Sequence, residues 1–142
     1  MAAWAELLAA HRQLTSRLDA ELRQRSGMTL DDYDILYQLR RAGRPLRMTE
    51  LAATVLISRP STTRVVDRLV RQGWLRRWHD GTDRRVVMVE LTAAGRRAQS
   101  RAARVHLDGI ARHVEVPLRG HDVPALAAAL RALAVADGSS PG

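Results

Sequence analysis

The sequence predicts a mainly α-helical fold with a small β-wing, on three observations. Apolar residues recur at steps of three and four over most of the chain, the spacing that lines one face of a helix. The period drops to two in one place, with Leu75 and Trp78 before the heptapeptide HDGTDRR (residues 79–85) and Val87, Val89 and Leu91 after it. Glycine and proline punctuate the rest, at Gly27, Gly43, Pro45, Gly73, Pro117 and Gly120.

The first helix spans about residues 3–25, where Trp4, Leu7, Leu8, His11, Leu14, Leu18 and Leu22 form a narrow seam. Thr29 and Asp32, three residues apart, form a capping box that opens a second helix burying Leu30, Tyr33, Leu36 and Leu39. Gly43 and Pro45 end it. Two short helices follow, at about 49–55 and 59–72, with only Leu56, Ile57 and Ser58 between them, the spacing of a helix-turn-helix. Ser58 caps the second of these, Pro60 sits in its first turn where a missing N–H is harmless, and Gly73 follows its last turn. Its core face is Thr62, Val65, Val66 and Leu69. Its opposite face carries Ser61, Arg64, Arg68 and Arg71, flanked by Arg59 and Thr63. After the hairpin, Thr92 caps a long helix to about residue 115 with a sparse stripe of Ala98, Ala102, Val105, Ile110 and Val114. Asp122 caps a last helix with a seam of Val123, Leu126, Leu130 and Leu133, and the tail, residues 137–142, is expected to fray.

At 142 residues, 46% hydrophobic and 27% charged, the chain suits one folded domain covering residues 1–142, with a reader at about 29–92 and flanking helices at about 3–25 and 93–136. The flanking seams are too long to be covered within so small a chain, so they belong against a partner copy. Net charge is +8 and the sequence pI near 11.5, which favours a polyanionic partner. All 23 basic residues are arginine, whose guanidinium forks onto phosphate and guanine edges. The absence of cysteine excludes disulfides, thiol chemistry and Cys-ligated zinc. Glu6 and His11 interrupt the N-terminus too early for a secretory signal and no run approaches a membrane span, so a cytoplasmic location without membrane contact is expected.

A helix-turn-helix followed at once by a hairpin is the winged variant. Its recognition helix fits the major groove of duplex DNA, and an arginine-tipped wing reaches the minor groove beside it. In HDGTDRR, Gly81 is expected to reverse the chain and Asp83 to hold an arginine in a fixed direction, while Arg84 or Arg85 projects toward phosphates or the groove floor.

The stretch RPSTTRVVDRLVRQGWLRRWHDGTDRRVVMVELTAAGR resembles the DNA-binding core of the MarR family of bacterial transcriptional regulators. The matching positions are Leu69 and Gly73 at the helix end, Asp83 and Arg85 at the wing tip, and Leu91, Thr92 and Gly95 where a strand runs into a helix. Leu51, Ala52 and Ser58 agree as well. Leu56 departs from the pattern, since many members place glycine there, so a tighter helical turn is expected. The resemblance implies a homodimer built from the terminal helices that binds a pseudo-palindromic operator, as a repressor released by a small phenolic or anionic effector. It carries base and phosphate contacts onto Arg59, Ser61, Thr63, Arg64 and Arg68, and wing contacts onto Arg84 and Arg85, with Asp83 as support. It places the effector between dimer helices and reader, where His11, Arg12, Tyr33, Tyr37 and His106 are candidate lining residues. For Arg68 and Arg71 a solvated position, or pairing with Asp67 one turn away, stays open.

Enzyme classes fit poorly. The five histidines are scattered without a carboxylate cluster, so no metal site is expected, and no cofactor loop, nucleophile elbow or paired-carboxylate motif is present. A basic RNA-binding or ribosome-associated protein would share the charge but calls for stacking aromatics, and most of the three Trp and two Tyr read as core. A winged helix that docks on protein is disfavoured by the arginines of its recognition face.

Overall fold

The structure, a computed structural model, describes residues 1–135, so the tail expected to fray lies outside the described residues. Helix α1 (Ala2–Ser26) ends where Gly27 takes φ 68° and returns its N–H to the Arg23 carbonyl. Only its second half reaches the core, through Leu18 and Leu22, while Trp4 and Leu8 at the start of the same seam face solvent. Helix α2 (Leu30–Ala42) opens on the Thr29 and Asp32 capping box and runs through the centre of the molecule, burying Tyr33, Ile35, Leu36 and Leu39. Leu30 is only half-buried, packed against the edge of this core, and Ile35, not among the expected core residues, is fully buried.

A two-residue strand, β1 (Leu46–Arg47), precedes α3 (Met48–Thr54), whose Glu50 carboxylate accepts the Arg47 N–H at 2.7 Å. So short a strand has no readable period, which is why the sequence pattern does not reveal it. Helix α4 (Arg59–Arg71) is capped by Ser58 and buries the expected Thr62, Val65, Val66 and Leu69. Strands β2 (Leu75–His79) and β3 (Val87–Leu91) form the hairpin, with Leu75 opposite Leu91 and His79 opposite Val87. β1 joins the other edge of β3 in an antiparallel sheet of order β1-β3-β2. Leu46, Leu75, Val89 and Leu91 point from this sheet into the helical core.

Helix α5 (Ala93–Ile110) buries Ala98, Ala102 and Val105 and leaves Ile110 half-buried. The long helix expected to reach residue 115 instead widens into a π-helical turn (Ala111–Glu115), where the Val116 N–H returns to the Ala111 carbonyl. That turn brings Arg112 and His113 onto the two oxygens of Glu21 on α1, each at 2.6 Å. Helix α6 (Val123–Val135) has its expected cap, the Asp122 carboxylate accepting the Ala125 N–H at 2.9 Å, but Val123, Leu126, Leu130 and Leu133 are 41–64% exposed.

The end of α4, both hairpin strands and the start of α5 meet at one joint. Gly73, at φ 76°, allows the Trp74 N–H to return to the Leu69 carbonyl at 3.0 Å. The Thr92 N–H donates to the Trp74 carbonyl at 3.1 Å, and the Thr92 hydroxyl donates to the Gly73 carbonyl at 2.7 Å while accepting the Gly95 N–H at 3.0 Å. A Cβ on Gly95 would overlap the Trp74 carbonyl. Gly95→Ala should therefore lower stability by about 1–3 kcal/mol through overpacking against backbone. A urea midpoint equal to that of the parent chain would show that the joint can open without cost.

Candidate nucleic-acid interface

The exposed face of α4 is ordered by its own first turn. The Ser58 hydroxyl lies 3.0 Å from the Ser61 hydroxyl, and Arg64 donates to the same Ser61 oxygen at 3.2 Å. Thr62 turns inward and donates to the Ser58 carbonyl, whereas Thr63 faces solvent with its hydroxyl on the Arg59 carbonyl at 3.3 Å. Arg59, Thr63, Arg64 and Arg71 are exposed and Ser61 half-buried, so the structure leaves Arg59, Ser61, Thr63 and Arg64 accessible around the N-terminal half of α4. No non-glycine residue takes a positive φ among the described residues, so Leu56 is accommodated without left-handed strain. Its N–H donates to the Asp34 carboxylate at 3.2 Å and its side chain is 92% exposed.

Arg68 stands apart from that set. Its guanidinium binds the carboxylate of Asp32, a residue 3% exposed at the head of α2. The alternative partner, Asp67, is bound by Arg77 of β2 instead. Arg71 has no ion-pair partner among the described residues.

The wing tip differs in detail from expectation. Gly81 has an ordinary φ and, with Thr82, makes a first bend of the loop that the Asp80 N–H closes on the Val86 carbonyl at 2.8 Å. The hydrogen-bonded turn is Asp83 to Val86, closed by the Val86 N–H on the Asp83 carbonyl at 3.0 Å, with Arg84 and Arg85 at its two central positions. The Asp83 carboxylate accepts the Arg85 backbone N–H at 3.0 Å, as an Asx turn, and also accepts Arg85 Nε and Nη2 at 3.1 and 3.2 Å. The Arg85 guanidinium, and then its N–H, hold the Asp83 carboxyl below its usual range. Arg85 is thus aimed while its side chain stays 91% exposed. His79 Nδ1 lies 2.7 Å from the Arg84 carbonyl and braces the same turn. Arg84 itself is exposed and has no ion-pair partner among the described residues.

Arg47 is a neighbour the sequence pattern did not bring to this site. It is exposed on β1, and its charge is felt by Asp83. Because β1 is added to the hairpin only in three dimensions, no spacing in the sequence signals this proximity.

The candidate effector residues divide. Tyr33, Tyr37 and His106 line one cleft of about 460 Å³ with Leu18, Leu56 and Ile110. The Tyr33 ring lies 4.6 Å from His106 and 6.1 Å from Tyr37, centroid to centroid. His11 and Arg12 lie outside this lining, exposed on α1 about two turns before Leu18. Of the five Trp and Tyr side chains Tyr37 and Trp4 are exposed, whereas Tyr33 is buried and Trp74 packs half-buried against the core. Among the described residues no three His, Asp or Glu side chains are grouped to hold a metal ion, and no helix is long and apolar enough to cross a membrane.

A short turn leading into a charged helix, followed by a hairpin with an arginine-bearing tip, defines a winged-helix protein. A model of the MarR family matches residues 26–86. Over 79 residues the chain is 34% identical to the HTH-type transcriptional regulator PecS of Dickeya dadantii (strain 3937), covering 54% of this chain and 48% of PecS, so the match spans about half the length of that curated relative. Two MarR family transcriptional regulators of Streptomyces coelicolor are similar over nearly the whole chain. Sco3205, solved in complex with DNA, is 31% identical with a TM-score of 0.88, covering 97% of this chain and 87% of that one. AbsC is 30% identical with a TM-score of 0.83, covering 94% and 90%. The chain belongs to the MarR family of transcriptional regulators.

Burial pushes the His106 imidazole below its ordinary value of 6.5, and His106 Nδ1 is buried without a hydrogen-bond partner among the described residues. The fold thus favours neutral His106. Its contribution is full above the unfolded value of 6.5 and is lost as pH falls through the lower folded value. Between about pH 7.5 and pH 5, His106→Leu should lose less stability than the parent chain in urea titrations. Equal losses would show that protons reach this imidazole at no cost to the fold.

Proposed function

We propose that the chain is a sequence-specific regulator that binds duplex DNA as a homodimer on a pseudo-palindromic operator and represses transcription until a small ligand releases it. The observation that carries the DNA assignment is the wing tip, where Asp83 fixes the fully projecting Arg85 beside an unpaired Arg84. A lone surface pair gains little from such an arrangement, but a pre-aimed guanidinium loses less freedom on entering a narrow groove. Arg59, Ser61, Thr63 and Arg64 supply the major-groove contacts, with Arg64 suited to a guanine edge and Ser61 holding it in place. RNA recognition is not favoured, because neither α4 nor residues 80–86 carry an aromatic side chain on which a base could stack.

Dimerisation is supported by the apolar surface left on the flanking helices. Trp4, Leu8, Leu107, Leu126, Leu130 and Leu133 are all more than two-fifths exposed. A two-fold axis would cover both copies at once, at roughly 1.5–3 kcal/mol for each leucine fully buried. It would also set the two copies of α4 about one DNA turn, roughly 10 bp, apart. For the effector, the cleft favours a phenolic ligand over a simple anion. Tyr33 and His106 offer rings against which a phenol can pack, whereas the Asp34 carboxylate in the lining opposes an anion. A bacterial, cytoplasmic setting suits this role.

Selection of randomised duplexes on the purified protein tests the assignment and supplies an operator. On that duplex, Arg85→Ala should weaken binding by about 1–3 kcal/mol with folding unaffected. Arg64→Ala should lose discrimination against a shuffled duplex, while Arg71→Ala should weaken both duplexes alike, because base contacts specify and phosphate contacts position. Equal losses on both duplexes for Arg64 would confine it to phosphate. In sedimentation, Leu130→Arg should shift a dimer at micromolar concentration toward monomer and lower operator affinity with it. A monomeric parent chain that still binds one unrepeated half-site tightly would exclude the dimer.

A further inference from the structure

We infer that Arg68 is a positioning residue and not a DNA contact: with Asp32 it forms a strut between α2 and the recognition helix, so that operator reading depends on a carboxylate that never meets DNA. This rests on the assignment of α4 as the reading helix.

Both oxygens of Asp32 are committed within the fold. Oδ2 accepts the Thr29 N–H at 2.9 Å to close the capping box, and Oδ1 receives the Arg68 guanidinium from α4, 36 residues further along the chain. The Asp32 side chain is 4% exposed and that of Arg68 42% exposed, so the pair is shielded on its acidic side. A carboxylate in such a place is costly unless paired and hydrogen-bonded. The capping box satisfies it in part, and the cation in direct contact with it comes from α4. Its surroundings add further negative charge. Asp19 on α1 accepts the Leu30 N–H at 2.8 Å, and Asp31 stands beside Asp32, its carboxyl pushed up first by burial and then by Asp19 and Asp32, with Arg68 acting in the opposite sense. Were Arg68 to swing out to a phosphate, Asp32 would lose its ion-pair partner, and the one arginine left beside this acidic helix head among the described residues, Arg23, is already bound to Asp19 at 2.6 Å.

The next residue shows what the strut holds. Asp67 binds Arg77 on β2, so adjacent positions of α4 are tied in two directions, Arg68 to α2 and Asp67 to the wing strand. The bearing of α4 relative to the wing, on which simultaneous contact with two grooves depends, is set between these two ties.

The test is a rescue. Arg68→Met strands the Asp32 carboxylate, whereas Asp32→Asn keeps an acceptor for the Thr29 N–H and removes the charge that needs Arg68. On the selected operator, Arg68→Met should weaken binding about tenfold or more, and Asp32→Asn/Arg68→Met should recover to within about threefold of the parent chain, with the slope of log affinity against log salt unchanged in the double variant. If Arg68→Met alone is too unstable to assay by thermal melting, the double variant decides the matter. A double variant that binds operator and shuffled duplex equally poorly, with the salt slope reduced by about one, would make Arg68 a phosphate contact and overturn the strut. A parent chain that binds no duplex at all would instead remove the DNA-reading assignment, and the strut's part in it.

Discussion

The geometry of this molecule depends on the backbone crossing at Trp74. The carbonyl of that residue receives the Thr92 N–H, its own N–H returns to Leu69, and Gly95 packs so closely that no side chain fits between them. Without this crossing α4 and the base of the hairpin would lose their main-chain connection, leaving the Asp67–Arg77 pair and the shared core to hold the wing against the recognition helix. With it, the end of α4, the base of both strands and the cap of α5 become one rigid piece. The Leu–Gly and Leu-Thr-x-x-Gly elements of the sequence are thereby explained without reference to DNA. Leu69 supplies a carbonyl and a core side chain, Gly73 the left-handed turn, Thr92 the cap and Gly95 the close approach.

Electrostatics then divides the arginines into two kinds. Asp32, Asp67, Glu50 and Glu90 bind Arg68, Arg77, Arg44 and Arg76, and these pairs connect elements of the reader or brace its loops and strands. Arg76 also lies over the Trp78 ring at 4.8 Å. Among the described residues the arginines left without an acidic partner include Arg59, Arg64 and Arg84, on the recognition helix and wing tip. Asp83 belongs to neither kind. It binds an arginine and yet leaves it projecting, because the same carboxylate also forms the turn, so the side chain is oriented without being withdrawn from the surface.

Much of this was legible in the sequence because it rests on local rules. Capping by Thr29, Ser58, Thr92 and Asp122, the core face of α4 and the change of period at the hairpin all depend on residues within a few positions of one another. What was not legible depends on contacts distant in sequence. Strand β1 exists only because β3 lies beside it, and Arg47 nears the wing by that route. Arg68 has the spacing of a groove-facing residue, and only the folded position of Asp32 turns it inward. The hydrogen-bonded turn at Arg84 and Arg85 follows from the Asx turn at Asp83, whose signal a glycine nearby in sequence obscures. His11 lies on the same seam as Leu18, but α1 meets the core only in its second half, so shared periodicity did not bring shared surroundings.

These long-range contacts converge on α2. One face of this helix presents Tyr33 and Tyr37 to the cleft, its first turn holds Arg68 through Asp32, and Asp34 accepts the N–H of Leu56 at the turn that leads into α4. The wall of the cleft and the supports of the recognition helix are therefore parts of the same rigid element, not neighbours connected by a chain of soft contacts. A ligand in the cleft acts on operator affinity only as far as it binds two arrangements of α2 against α4 unequally. That condition is demanding, because one face of α2 is buried from Asp32 to Leu39 and packed interiors move between discrete arrangements rather than deforming smoothly. Any response would thus be a shift of α2 as a body, carrying Asp32 and Asp34 together, with Arg68 and Leu56 as the two points at which α4 would feel it.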